Sequence, residues 1–233
     1  MFQKSPTTMR LTLRALARLL AYPGAELRAQ MPALLDALHA EQALSAARVA
    51  ELQALAQQLC AMDPYEAEGR YVDTFDRGHR TSLHLFEHIH GDSRERGPAL
   101  IDLTQTYEKA GLYLGAQELP DHLGVVLEFA STQPPAVARE FLGEMAHILN
   151  ALFTALDTKA SPYASVVAAV LEAAGHKAQA VAIAPEPEMD EAWAEPEAFD
   201  GCATRGQNRP DQPQPLRFVR NARPTSSSQG VSP

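Results

Sequence analysis

The sequence is short of cysteine, of aromatic residues and of positive charge, and each shortage removes a class of protein. The two cysteines, Cys60 and Cys202, lie far apart with no Cys-x-x-Cys. They make neither a disulfide framework nor a four-ligand zinc site, and a reducing cytosol suits them. Lysine and arginine number 20 against 29 aspartates and glutamates, a formal net charge of −9. Phosphates and anionic headgroups both demand a basic face, so neither nucleic acid nor a membrane surface is an expected partner. No uninterrupted apolar run reaches the roughly 18 residues of a membrane span. The N-terminal MFQKSPTTMR is followed by an amphipathic segment with no apolar h-region, so no secretory signal is expected. The expected location is the cytoplasm, with any membrane met only through a partner. Gly-x-Gly-x-x-Gly, Walker-type and Gly-x-Ser-x-Gly loops are missing too, so nothing argues for an enzyme and no cofactor is expected.

What is present is helical. Apolar residues make up 45% of the chain, with alanine and leucine prominent and β-branched residues sparse. Alanine and leucine lose little entropy in a helix, whereas β-branched residues lose χ1 freedom there. Met9, Leu13, Leu16 and Leu20 fall on one helical face, as do Leu27, Met31, Leu34 and Leu38, and then Val49, Leu52, Leu55 and Leu59. Ser45 and Asp63 are placed as N-caps, with Pro64 at a first helical position and Glu66 completing a box-like pattern. Further helices are expected over 82–90 and about 93–110, from Pro120, as one long helix from Pro135 to Leu156, and from Pro162 to Gly175. No sustained period-2 alternation suggests a sheet. The expectation is an all-α fold of nine or ten helices in a single bundle-like domain over 1–184.

Residues 185–233 differ. They hold 8 of the 17 prolines, and 186–200 carry seven acidic side chains and no basic one. Such a segment buries too little apolar surface to offset its ordering entropy, so a disordered tail is expected. Trp193 and Phe199 within it are either stray apolar groups or a short docking motif.

Two polar constellations stand out. Four of the eight histidines lie between 79 and 90. On a helix, His84 and His88 would share a face, a spacing known from metal sites, with Glu87 adjacent. The motif is not His-Glu-x-x-His, and partly buried or solvated histidines are the plainer reading. Four arginines in the same stretch balance Asp76, Glu87, Asp92 and Glu95, either as salt bridges or as the wall of a peptide groove. The second constellation is Glu118-Leu119-Pro120-Asp121-His122. It reads as a capping turn at a helix start, or as an Asp–His acid/base pair that lacks a nucleophile.

Tyr71-Val72-Asp73-Thr74-Phe75-Asp76-Arg77-Gly78, Thr81-Ser82-Leu83 with Leu85-Phe86-Glu87-His88, His90-Gly91-Asp92-Ser93-Arg94-Glu95-Arg96-Gly97, and Glu118-Leu119-Pro120-Asp121-His122-Leu123 occur in this order. Together they resemble the NarJ-type assembly chaperones, the nitrate reductase delta subunit family within the redox-enzyme maturation chaperones. The resemblance runs from about residue 10 to about 180 and resumes at Asp190-Glu191-Ala192-Trp193 and Gly201-Cys202. One departure is Thr74, where the family more often shows an apolar residue.

The resemblance implies an all-helical fold and an activity of binding, not catalysis. The implied partner is the apo catalytic (alpha) subunit of respiratory nitrate reductase, held through its N-terminal peptide. Insertion of an iron–sulfur cluster and the molybdenum cofactor would be assisted before membrane assembly. By position, Tyr71, Phe75, Asp76, Gly78, Glu118, Pro120, Asp121 and His122 match the family's peptide-recognition motifs. An amphipathic peptide is expected to lay its apolar face on Tyr71, Phe75, Leu85 and Phe86, beside His88, with Asp121 and His122 fixing an end or a basic side chain. On this reading Phe75→Ala and Asp121→Ala weaken client binding and leave stability nearly intact. Two alternatives compete: a metal-dependent helical enzyme built on His84, His88 and Asp121, and a scaffold subunit of a membrane redox complex.

Overall fold

A computed structural model describes residues 8–91, 93–116 and 118–182. The tail beyond these, with Trp193, Phe199 and Cys202, lies outside the described residues, as does the expected boundary at 184/185. Among the described residues there are ten α-helices and no strand: α1 (Arg10–Leu19), α2 (Ala25–Glu41), α3 (Ala46–Ala61), α4 (Pro64–Phe75), α5 (Glu87–His90), α6 (Arg96–Lys109), α7 (Leu123–Thr132), α8 (Pro135–Glu144), α9 (Ala146–Thr158) and α10 (Ala164–Ala173). None is long and apolar enough to cross a membrane.

Two starts follow from local chemistry. The Ser45 hydroxyl accepts from Arg48 N–H, and the Asp63 carboxylate accepts from Tyr65 and Glu66 N–H with Pro64 in the first turn. Each satisfies amides that have no partner within the helix. The Glu66 carboxylate turns to Arg70 at 2.7 Å, so the box is made from one side. Gly111 and Gly175, at φ of 82° and 86°, follow the ends of α6 and α10 and occupy the left-handed region that favours glycine.

α10 is apolar on nearly every side: residues 166–171 are all buried. Such a helix belongs at a centre, and it contacts α1, α3, α8 and α9. α1 buries Leu13, Leu16 and Leu19 against α2 and α7 and turns Arg10, Leu11 and Arg14 outward. The expected stripes on α1 and α3 are fully buried, while Leu34 of α2 is only partly so.

Three boundaries depart from expectation because tertiary bonds override local propensity. The 82–90 stretch is helical only from Glu87; before it lie a 3-10 turn over His79–Thr81 and an isolated antiparallel bridge between His84 and His122. The expected start at Pro120 fails because this backbone is already engaged. Pro120 C=O accepts from the Tyr107 hydroxyl at 2.8 Å, Asp121 C=O accepts from Leu85 N–H at 3.0 Å, and Leu123 N–H donates to Leu83 C=O at 2.8 Å. α7 therefore begins at Leu123, capped by the His122 ring. The expected long helix over 135–156 breaks at Met145. Gly143, a weak helix former, precedes the break, and the His176 ring lies 3.2 Å from where its Cβ would be.

Candidate functional site

Asp121 organises the region to which the sequence motifs converge. Its side chain is fully buried at 0% exposure, a costly position for a carboxylate unless hydrogen bonds and opposite charge compensate. Both are present. One oxygen meets His84 Nδ1 at 3.3 Å; the other accepts from Phe86 N–H at 3.2 Å and lies 3.6 Å from the Arg96 guanidinium. Arg96 also pairs with Glu87 at 3.1 Å. One carboxylate thus pins the 84–87 segment, the turn before α7 and the first turn of α6 to one another.

The electrostatics follow from this geometry. Burial works to raise the Asp121 pKa, but the His84 hydrogen bond and charge, the Phe86 amide and Arg96 outweigh it and hold the group below the usual value. The same hydrogen bond raises the His84 pKa against its partial burial. His122, whose ring stands edge-on to His84 with centroids 5.2 Å apart, is lowered by desolvation and then by the His84 charge. His122 Nδ1 accepts from Gly124 N–H at 3.2 Å, which requires that nitrogen to be unprotonated. Two neighbouring imidazoles are therefore biased to opposite protonation states.

Two clefts open beside this junction. The first, about 310 Å³, is lined by Phe75, Asp76, Arg77, Gly78, Ser82, His84 and Glu87 among others. Arg77 also lines a shallower recess with Tyr22, Tyr65, Glu68, Gly69 and Asp73, and it pairs with Asp73 at 2.8 Å. Along this path, beside a Tyr65 that is 84% exposed, lie four carboxylates; Asp73 pairs with Arg77 and Glu87 with Arg96, while Asp76 and Glu68 have no salt bridge among the described residues. The second cleft, about 490 Å³, runs between α1 and α7. Its walls include Arg10, Arg14, Arg18, Glu118, His122 and Glu128.

The expected site residues separate accordingly. Phe75, Asp76 and Gly78 share the first cleft, whereas Glu118 and His122 belong to the second. Tyr71 is 8% exposed and Leu85 0%, so neither forms an open wall. Tyr71 donates to Leu20 C=O at 2.7 Å and stacks on Phe75 at 4.8 Å, which in turn meets Tyr163 at 4.9 Å. Burial, followed by the Asp76 charge, pushes the Tyr71 hydroxyl up to about 12. Phe86 packs partly buried against the core, and Pro120 is buried beneath Tyr107. Thr74 donates to Arg70 C=O at 2.7 Å within its own helix and lines a different pocket, with Leu59, Met62 and Tyr163.

The expected His84–His88 face does not form. His84 sits in the bridge and bonds Asp121, while His88 Nε2 meets Ser82 C=O at 2.9 Å and is held low by desolvation. Among the described residues no three His, Cys, Asp or Glu side chains converge as metal donors.

Arg96 and Tyr107 are the functional neighbours that spacing did not single out as partners of the Asp121 turn. Both arrive from α6, and only the pairing of charges around the motif hinted at Arg96. Arg10, Arg14 and Arg18 lie in the segment expected to be amphipathic, but nothing in the sequence placed them on a cleft.

Comparison with known proteins gives the family. A family model described as nitrate reductase delta subunit matches residues 25–169. The chain is 42% identical over 148 residues to the nitrate reductase molybdenum cofactor assembly chaperone NarJ of Escherichia coli K12, covering 64% of this chain and 63% of that protein. The match thus spans somewhat under two thirds of that relative's length. It is 32% identical over 170 residues to the NarJ protein of Bacillus subtilis 168, covering 72% of this chain and 90% of the relative. A crystal structure from Archaeoglobus fulgidus, of a protein assigned to redox enzyme maturation, shares the fold with a TM-score of 0.50 at 22% identity, over 74% of this chain and 95% of that one. The family match covers more than half of the sequence, and the chain belongs to the nitrate reductase delta subunit family.

Proposed function

We propose that this protein is a system-specific assembly chaperone for respiratory nitrate reductase. It binds the N-terminal segment of the apo catalytic subunit in the cytoplasm and holds it while the iron–sulfur cluster and the molybdenum cofactor are inserted. It is a binding protein and not an enzyme. The observation that carries this reading is that the 71–78 and 81–88 motif blocks meet at one open cleft. Phe75, Asp76, Gly78, His84 and Glu87 line it, and the buried Asp121 fixes its far wall.

The lining gives the recognition its chemistry. Asp76, with Glu68 in the adjoining recess, favours a basic segment, since Glu87 and Asp73 are already paired with Arg96 and Arg77. The exposed Tyr65 and half-exposed Tyr22 offer rigid aromatic surface to its apolar side chains. Leu85 and Tyr71 act from inside by supporting the wall, and Asp121 acts by positioning the 84–87 backbone. A chaperone must release its client, so micromolar to nanomolar affinity, about −8 to −12 kcal/mol, suits the task.

Calorimetric titration with a synthetic peptide of the catalytic subunit's N-terminus tests the reading. Saturable binding to the folded chain, weakened about tenfold by Asp76→Asn, is the expected result. A folded chain that gives no heat of binding contradicts it.

A further inference from the structure

The larger cleft is not used by the client reading above, and its chemistry is opposite. We propose that the cleft between α1 and α7 is a second docking surface, one that takes an acidic amphipathic segment of a partner protein. Arg10, Arg14 and Arg18 line it from successive turns of α1, spaced about 6 Å apart by the helical rise. Arg18 is held by Gln30 at 3.0 Å and by Glu26 at 3.4 Å. Arg10 and Arg14 have no carboxylate partner among the described residues, in a chain whose acids outnumber its bases by nine. Arginine is the cation that recognises carboxylates bidentately and is enriched at protein interfaces.

The rest of the cleft narrows the occupant. Its floor is apolar, with Leu112, Leu114 and Phe129, and Tyr113 stands on its rim at 79% exposure. A tyrosine left out of the core beside apolar floor is the side chain a protein partner covers. The Glu118 carboxylate accepts from Gly115 N–H at 2.9 Å and keeps its charge, so Glu118 and Glu128 are the acids set against the three arginines. A uniformly acidic ligand would be repelled there. A helix with carboxylates at i and i+4 toward Arg10 and Arg14, apolar residues downward and a base toward Glu128 matches every wall.

The choice of partner chain rests on the client reading, and the test separates the two. Overlapping synthetic peptides spanning the nitrate reductase catalytic subunit are titrated by fluorescence anisotropy against the full chain, the Arg10→Glu/Arg14→Glu variant and Asp76→Asn. The expected result is an acidic amphipathic peptide, distinct from the N-terminal one, that loses at least about tenfold in affinity to the arginine reversal. Its binding should also weaken as salt rises and be indifferent to Asp76→Asn. Because Arg10 and Arg14 are exposed, the reversal should leave thermal unfolding unchanged, so lost binding cannot be ascribed to misfolding. The proposal is overturned if no acidic peptide binds, if the reversal leaves its affinity intact, or if sedimentation shows that the reversal instead dissolves a dimer of this chain. Failure of the N-terminal peptide alone counts against the client reading and leaves this surface standing.

Discussion

The cleft beside α4 and the cleft beside α1 meet at the paired rings of His84 and His122, yet they are built from different materials. The α4 cleft is formed by a segment with little regular structure, 76–87, held in place by bonds to distant residues. Its lining is acidic. The α1 cleft is formed by two regular helices whose packing faces are apolar, and its charge comes from the outward stripe of α1. In the first, position depends on one buried carboxylate. In the second, position follows from helix packing and the charges are an addition at the surface. Substitutions in the shared wall should therefore damage the fold, whereas those on the α1 stripe should change binding alone.

The largest effect is expected at the junction. Asp121→Ala leaves Arg96 and His84 without their buried counter-charge and frees the Phe86 amide, at a cost of about 3–5 kcal/mol. Thermal or urea unfolding should show a strongly destabilised variant. This replaces the expectation from sequence that Asp121→Ala is nearly neutral for folding, and a variant as stable as wild type would contradict the pinned wall. Phe75→Ala follows closely. Phe75 is 5% exposed and packed between Tyr71 and Tyr163, so its truncation should cost about 3 kcal/mol or more, again against the expectation of intact stability.

A smaller loss isolates the turn from the carboxylate. Tyr107→Phe removes only the hydroxyl that holds Pro120 C=O and should cost about 1–2 kcal/mol in urea unfolding. An unchanged midpoint would mean that the Asp121 contacts alone fix the turn.

The smallest predicted effect is a pH dependence with two limbs. His122 has a lowered pKa, so the stability from its neutral cap is complete above the ordinary imidazole value of about 6.5. It is lost as pH falls through the lowered one. His88 contributes to the same limb. His84 has a raised pKa, so its pairing with Asp121 stabilises fully below about 6.5 and fades as pH rises through the raised value. Melting temperature should therefore be highest in a window around neutrality. His122→Asn, which keeps a good cap without a titrating group, should flatten the acid limb. An unaltered profile would show that the ring is not the cap.

What was legible in the sequence divides along the same line as the clefts. The caps at Ser45 and Asp63, the stripes of α1 and α3 and the all-α class are set by neighbours a few residues apart, and spacing exposes them. The 82–87 segment is set by Asp121 more than thirty residues away. Its apolar and polar residues imitate a helical period while its amides answer to Asp121 and its neighbours, so periodicity misread it and placed His84 with His88. The motif blocks led to the expectation that Asp76, Asp121 and His122 share one site. Spacing could not show that Asp121 faces inward, that Asp76 and Glu118 open into different clefts, or that the arginine stripe of α1 overlooks one of them.

The most direct test of the central claim is to find where the client's N-terminal peptide sits on the intact chain. Hydrogen exchange with and without saturating peptide should show added protection over 72–90. The α1 cleft, at 10–18 and 112–114, should be unchanged. Protection confined to α1 and residues 112–114, with 72–90 unaltered, would place the client in the other cleft and contradict the account.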